Sequence, residues 1–164
     1  MHSIRDDYVI SFQNILQIPV ADISEPDLVS TWFETSSNFI EESLNNGGKI
    51  LIHCYHGVSR SATILAAFVL KARLQNNQNT QILNGSCTVE DVLSFIKSRR
   101  PIACPNEGFM AQLNLWRAMK CRIDPLFKPY KMYQLNYISQ QIKATKIMPS
   151  NVKSFFQVNH EYIY

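Results

Sequence analysis

Two hydrophobic periods alternate along this chain, and the sharpest change between them falls at one polar turn. Residues 14–18 are a mixed apolar run ending at Pro19, and residues 50–53, "ILIH", are rich in β-branched side chains; both predict short strands, the second one buried. From Ser61 onward the apolar positions Ile64, Leu65, Phe68 and Val69 follow helical spacing, which predicts a helix to about Leu74. Upstream, Ser24-Glu25-Pro26-Asp27 predicts a helix start. Ser24 caps, Pro26 is tolerated in the first turn, and Asp27 is the reciprocal partner three residues on. Trp32, Phe33, Ser36, Phe39, Ile40 and Leu44 continue one face of that helix, and Gly47-Gly48 stops it.

The second half is read the same way. The Asn- and Gln-rich run 75–87 predicts an exposed loop. Thr88-Val89-Glu90-Asp91 opens a capped helix with Val89, Val92, Leu93 and Ile96 inward, closed by Pro101. Asn106 caps a further helix with Phe109, Leu113, Trp116 and Ala118 or Met119 inward. One more helix is expected over 129–144, then a tail. Strand, helix, strand, helix and three further helices make an α/β layer protein without internal repeats. A sheet of that kind places its ligand at the carboxyl end of a strand, which here is the turn after His53.

Composition narrows the picture. At 164 residues with 46% apolar and 11% aromatic side chains, one domain can bury a core. No apolar run approaches the ~18 residues of a membrane span, and "MHSIRDDYVI" does not read as a signal peptide. No membrane partner is therefore expected. Cys54, Cys87, Cys104 and Cys121 contain no Cys-x-x-Cys pair, so a structural zinc site is not expected. No cofactor is expected either, because the phosphate cradle of residues 54–60 supplies the positive field. A reducing compartment, cytoplasmic or nuclear, with free thiols is the corresponding setting. Net charge is +3 with the basic residues scattered, which favours anionic partners mildly and no nucleic acid.

The turn "HCYHGVSRSAT", residues 53–63, carries the chemistry. A thiol is only a few per cent ionised at neutral pH. A helix N-terminus, inward backbone amides and a guanidinium lower its pKa into the ~3.5–7.5 range. Cys54 has all three close in sequence. The five residues between Cys54 and Arg60 (Tyr55, His56, Gly57, Val58 and Ser59) can curl into a nest of N–H groups, with Gly57 permitting a backbone angle that a side chain forbids. Arg60 adds a planar fork matched to two phosphate oxygens. The arrangement is a cradle for a tetrahedral dianion above a thiolate. Three carboxylates precede it closely, Asp22, Glu25 and Asp27, as candidates to protonate a leaving group.

These residues resemble the HCxxGxSRS signature of the dual-specificity protein phosphatases, within the cysteine-dependent protein tyrosine phosphatases. Ala66-Ala67-Phe68-Val69-Leu70 is similar to that family's AYLM segment, and Pro105-Asn106-Glu107-Gly108-Phe109 with Gln112-Leu113 is similar to its PNxxFxxQL block. The resemblance implies a three-layer α/β fold, a short central sheet flanked by helices. Only "MHSIRDDYVISFQ" precedes residue 14 in this chain, so the family's N-terminal strands are expected to be largely missing. It implies a catalytic domain over 1–122, N-terminally incomplete, and a C-terminal helical extension and tail over 123–164. "NEGFMAQLNLWRAM", "YKMYQL" and "MPSNVKSFFQVN" look most like the subfamily that adds a C-terminal zinc-binding domain, absent here.

The implied activity is hydrolysis of phosphotyrosine and phosphoserine/threonine monoesters in a protein substrate through a cysteinyl-phosphate. Cys54 is the nucleophile and residues 55–60 hold the phosphate. The general acid is Asp22, which follows an Ile-Pro-x-x-Asp strand end 32 residues before Cys54. The resemblance implies that Ser61 donates to the sulfur; its other reading is a helix N-cap. His53 is expected to fix the Cys54 backbone by a hydrogen bond. Asn106 either braces the loop or only caps its own helix. A phosphate-binding scaffold or inactive fragment without turnover is the alternative, and an RNA 5′-phosphatase another: His56 fits that pattern, while Ser59, Ser61 and Ala62 do not.

Overall fold

A computed structural model describes residues 14–23, 26–76 and 87–146. Five helices follow one another within them: α1 (Phe33–Asn45), α2 (Arg60–Asn76), α3 (Val89–Arg99), α4 (Glu107–Ala118) and α5 (Lys128–Thr145). The predicted capping residue Ser24, most of the 75–87 loop and the tail beyond 146 lie outside the described residues.

Helix α2 is central because its sequence is apolar or small on nearly every side. Ala62, Thr63, Ile64, Ala66, Ala67 and Leu70 are all buried, and α1, α3 and α4 pack around it. Alanines at 62, 66 and 67 let neighbouring side chains approach the helix axis closely. Trp116 of α4 uses that room. It is fully buried, donates its indole N–H to the Ala67 carbonyl at 3.2 Å, and meets Phe33 of α1 edge to face at 5.8 Å. Each fully buried large apolar side chain in this layer contributes about 1.5–3 kcal/mol.

The α3 and α4 expectations agree with the structure. Thr88 accepts from the Asp91 N–H while Asp91 accepts from the Thr88 N–H, a reciprocal box that satisfies two orphan donors. Val89, Val92, Leu93 and Ile96 are buried. In α4 the inward residues are Phe109, Gln112, Leu113, Trp116 and, of the predicted pair at its end, Met119.

The start of α1 differs from the sequence expectation. The helix begins at Phe33, not near Pro26, and Trp32 offers no side-chain cap. The reason is tertiary: the buried Gln112 side chain accepts the N–H groups of Leu28 and Val29 at 2.8 and 3.0 Å and donates to the Pro26 carbonyl at 2.8 Å. That holds 26–29 in a turn before helix can propagate. Asp27 accordingly accepts from the Ser30 N–H at 3.0 Å and from the Tyr133 hydroxyl at 3.2 Å. Leu44, expected inward, is 46% exposed at the C-terminal end of α1.

The two predicted strands form no β-ladder among the described residues. Their side-chain alternation is nevertheless present. Leu16, Ile18 and Val20 are half-buried between exposed Gln17 and Pro19; Ile50, Ile52 and Cys54 are half-buried between exposed Leu51 and His53. Residues 50–53 are therefore covered on one face only, not buried on both. Helix α5 packs beside the turn before α1, Tyr133 donating to Asp27 and Gln134 to Ser30: Tyr130 is buried in the core, Pro129 sits in the first turn, and Lys146 ends the helix in the left-handed conformation.

Candidate active site

The segment ending at Cys54 delivers a half-buried thiol to the foot of α2, and residues 55–59 form the loop between them. Cys54 Sγ lies 3.3 Å from Ser61 Oγ and accepts the Gly57 N–H at 3.2 Å. Partial burial pushes this thiol up. The Ser61 hydroxyl, together with the N–H groups of Ser61, Gly57 and Val58, outweighs burial and brings the pKa from 9.0 down to about 7. Cys121 shows the opposite balance: burial beside Cys87, only partly offset by Lys71 and Arg117, raises its thiol to about 12. All four cysteines are free thiols.

The loop's own carbonyls explain why its amides converge. Arg100, just beyond α3, donates through Nε to the Gly57 carbonyl at 2.7 Å and through Nη2 to the His56 carbonyl at 3.3 Å. The Cys104 N–H donates to the Val58 carbonyl at 2.8 Å, and Thr63 donates through its N–H and its hydroxyl to the Ser59 carbonyl, each at 2.9 Å. Four successive carbonyls are thus drawn away from the sulfur. A planar trans peptide then turns the following N–H the other way. Gly57 takes φ +66°, and a Cβ there would stand 2.5 Å from Arg100 Nη2. Both observations require glycine.

Arg60 opens α2 and reaches the 14–23 segment. Its Nη1 donates to the Val20 carbonyl at 3.3 Å, and its Nε lies 3.6 Å from Asp22 Oδ2. That Nε is buried and without a hydrogen-bond partner among the described residues. Asp22 is also met by Asn106 Nδ2, 3.4 Å from its Oδ1. Asn106 both caps and braces. Its Oδ1 accepts the Phe109 N–H at 2.9 Å, its Nδ2 donates to the Ile23 carbonyl at 3.2 Å, and its N–H donates to Ser59 Oγ at 3.3 Å. One asparagine therefore joins the loop, the Asp22 segment and α4.

The structure brings together Cys54, Gly57, Ser59, Arg60, Ser61, Asp22 and Asn106. Ser61 lies inside the first turn of α2 with its hydroxyl on the sulfur, so it is not the N-cap of that helix. His53 is not brought in: its ring is exposed and makes no hydrogen bond among the described residues. Tyr55, 87% exposed, stands with His56 on the loop's outer rim, their rings edge to face at 4.6 Å. Arg100 escaped sequence reasoning. Its only local signal is a basic residue between a helix end and Pro101, and its partners lie 43 and 44 residues away. No cluster of residues able to hold a metal occurs among the described residues.

A thiol held near neutrality by a neighbouring hydroxyl and loop amides, on the same loop as an arginine that meets a carboxylate, is the arrangement of a cysteine-based active-site loop. Residues 2–119 match the family described as "Dual specificity phosphatase, catalytic domain", and the chain belongs to that family. It is 33% identical over 144 residues to dual specificity protein phosphatase MPK-4 of Drosophila melanogaster, which covers 88% of this chain and 34% of that protein. It is 32% identical over 150 residues to tyrosine-protein phosphatase yvh1 of Schizosaccharomyces pombe, 92% of this chain and 42% of that protein. The chain thus spans between a third and a half of the length of these relatives. The crystal structure of the Yvh1 phosphatase domain from Chaetomium thermophilum superposes with a TM-score of 0.53 at 29% identity, over 66% of this chain and 68% of that one. The fold class is accordingly the α/β fold of these phosphatases.

Proposed function

We propose that this chain hydrolyses phosphotyrosine and phosphoserine/threonine monoesters in proteins through a cysteinyl-phosphate. The observation that carries the reading is the geometry at Cys54, whose Sγ lies 3.3 Å from the Ser61 hydroxyl and accepts the Gly57 N–H at 3.2 Å at the foot of α2, contacts that outweigh partial burial and bring the thiol down to about 7. At neutral pH about half of such a thiol is ionised, so the nucleophile requires no separate base.

In the first displacement the thiolate attacks phosphorus and forms the S–P bond. The P–O bond to the substrate breaks, and its electron pair leaves on the oxygen, which takes a proton from Asp22. Arg60 and the loop amides hold the non-bridging oxygens, a matter of position and charge. The guanidinium and Asp22 already face each other across the bowl. In the second displacement water gives its proton to Asp22 and its oxygen attacks phosphorus. The S–P bond breaks and its electron pair returns to the sulfur, where the Ser61 hydroxyl stabilises it. Asn106 keeps Asp22 and the loop in register.

In this reading residues 1–122 are the catalytic domain and 123–164 the extension, and a reducing cytoplasmic or nuclear setting preserves the thiol. Turnover of an aryl phosphate by the chain and by Cys54→Ser tests the proposal. The expected result is loss of turnover in the variant with a burst of phospho-enzyme in the parent; equal rates overturn it.

A further inference from the structure

We propose that Arg100 is a positioning residue for the phosphate loop: its forked contact with the His56 and Gly57 carbonyls sets the peptide orientation that aims the loop amides at Cys54. The inference rests on the phosphatase reading above. Arg100 lies outside the Cys54–Arg60 segment and touches it only through main-chain carbonyls. Two N–H donors on a rigid plane can fix two successive carbonyls at once, whereas a lysine ammonium is a point donor on a flexible stem.

The peptide units Arg100 holds are those whose N–H groups belong to Gly57 and Val58. The Gly57 N–H reaches Sγ at 3.2 Å. The same two amides help to lower the Cys54 pKa against its burial. Gly57 and Arg100 are also matched in shape, since a Cβ at residue 57 would occupy the guanidinium's place. Without the fork, the 56–57 and 57–58 peptides are free to rotate and offer carbonyl oxygens to the sulfur, which would disfavour the thiolate and repel a phosphate.

The charged and titratable groups on the segments around the bowl include Asp22, His53, Tyr55, His56, Arg60, Arg99, Arg100, Cys104 and Glu107. Removing a positive charge would by itself raise the thiol pKa, so the test separates charge from fork geometry. Alkylation of Cys54 by iodoacetamide against pH, followed on the Cys54 peptide by mass spectrometry, gives the thiol midpoint. Protection by inorganic phosphate gives the anion affinity. Neither readout requires turnover.

In Arg100→Ala the midpoint should rise by about one pH unit and phosphate protection weaken about tenfold. Arg100→Lys, which keeps the charge, should show most of both effects. Thr88→Ala, which weakens the α3 cap without touching the loop, should lose stability and leave both readouts unmoved. Parental behaviour in Arg100→Lys overturns the inference, and that variant decides alone if Arg100→Ala does not fold. A parent thiol that titrates at its ordinary value and is not protected by phosphate overturns the phosphatase reading as well. A parent midpoint near 7 that neither Arg100 variant moves overturns this inference alone.

Discussion

Gln112→Leu is the sharpest test of how this fold places its site. The side chain is 2% exposed and makes three hydrogen bonds to one turn, accepting from the Leu28 and Val29 N–H groups and donating to the Pro26 carbonyl. Leucine is of similar volume, so packing against α2 survives while both polar ends vanish. Leu28 and Val29 are themselves fully buried, which leaves their N–H groups without water. A buried group stripped of its partner costs ~1–3 kcal/mol. The Pro26 carbonyl is only partly buried and recovers some hydration, so the total should be about 3 kcal/mol.

That is a large share of the ~5–15 kcal/mol stabilising a typical domain. For a chain of this length it corresponds to a melting temperature about 6–12 °C lower. Urea denaturation and calorimetry of Gln112→Leu would read it. Asn114→Leu is the control: Asn114 is exposed and bonds only the Met110 carbonyl within its own helix, so its change should stay within ~0.5 kcal/mol. A Gln112→Leu protein as stable as Asn114→Leu would refute the argument that this turn is held from α4.

Two further predictions follow the chemistry. Ser61→Ala removes the strongest of the contributions that lower the Cys54 thiol, so its alkylation midpoint should move above 7. Thiolate reactivity at pH 6–7 should fall while the rates converge well above pH 9; an unmoved midpoint would contradict the assigned contact. Asp22→Asn should lower kcat/KM for alkyl phosphates by about 10²–10⁴, and much less for aryl phosphates with acidic leaving groups. Equal losses on both substrates would remove Asp22 from the proton-transfer role.

The sequence by itself determined the parts of this protein whose physics is local. Three residues apart, Thr88 and Asp91 can only meet across a helix start, and the spacing of Val89, Val92, Leu93 and Ile96 leaves one buried face. Seven successive residues from Cys54 to Arg60 suffice to close a loop over a thiol, because the next residues are helical and the loop has no room to wander. What the tertiary structure decided lies between residues far apart in the chain. Gln112, 84 and 83 residues from Leu28 and Val29, takes both of their amides, and α1 starts at Phe33 instead of at the locally signalled Ser24-Glu25-Pro26-Asp27. Asn106 proved to be a cap and a brace at once, since capping uses its oxygen and bracing its nitrogen. The carbonyls that must turn outward for the amides to turn inward are claimed by Arg100 and Cys104, and no spacing rule within the loop could name them. A hydrogen bond between distant segments depends on where the packed core sets their backbones, and that is fixed only once the helices close around α2.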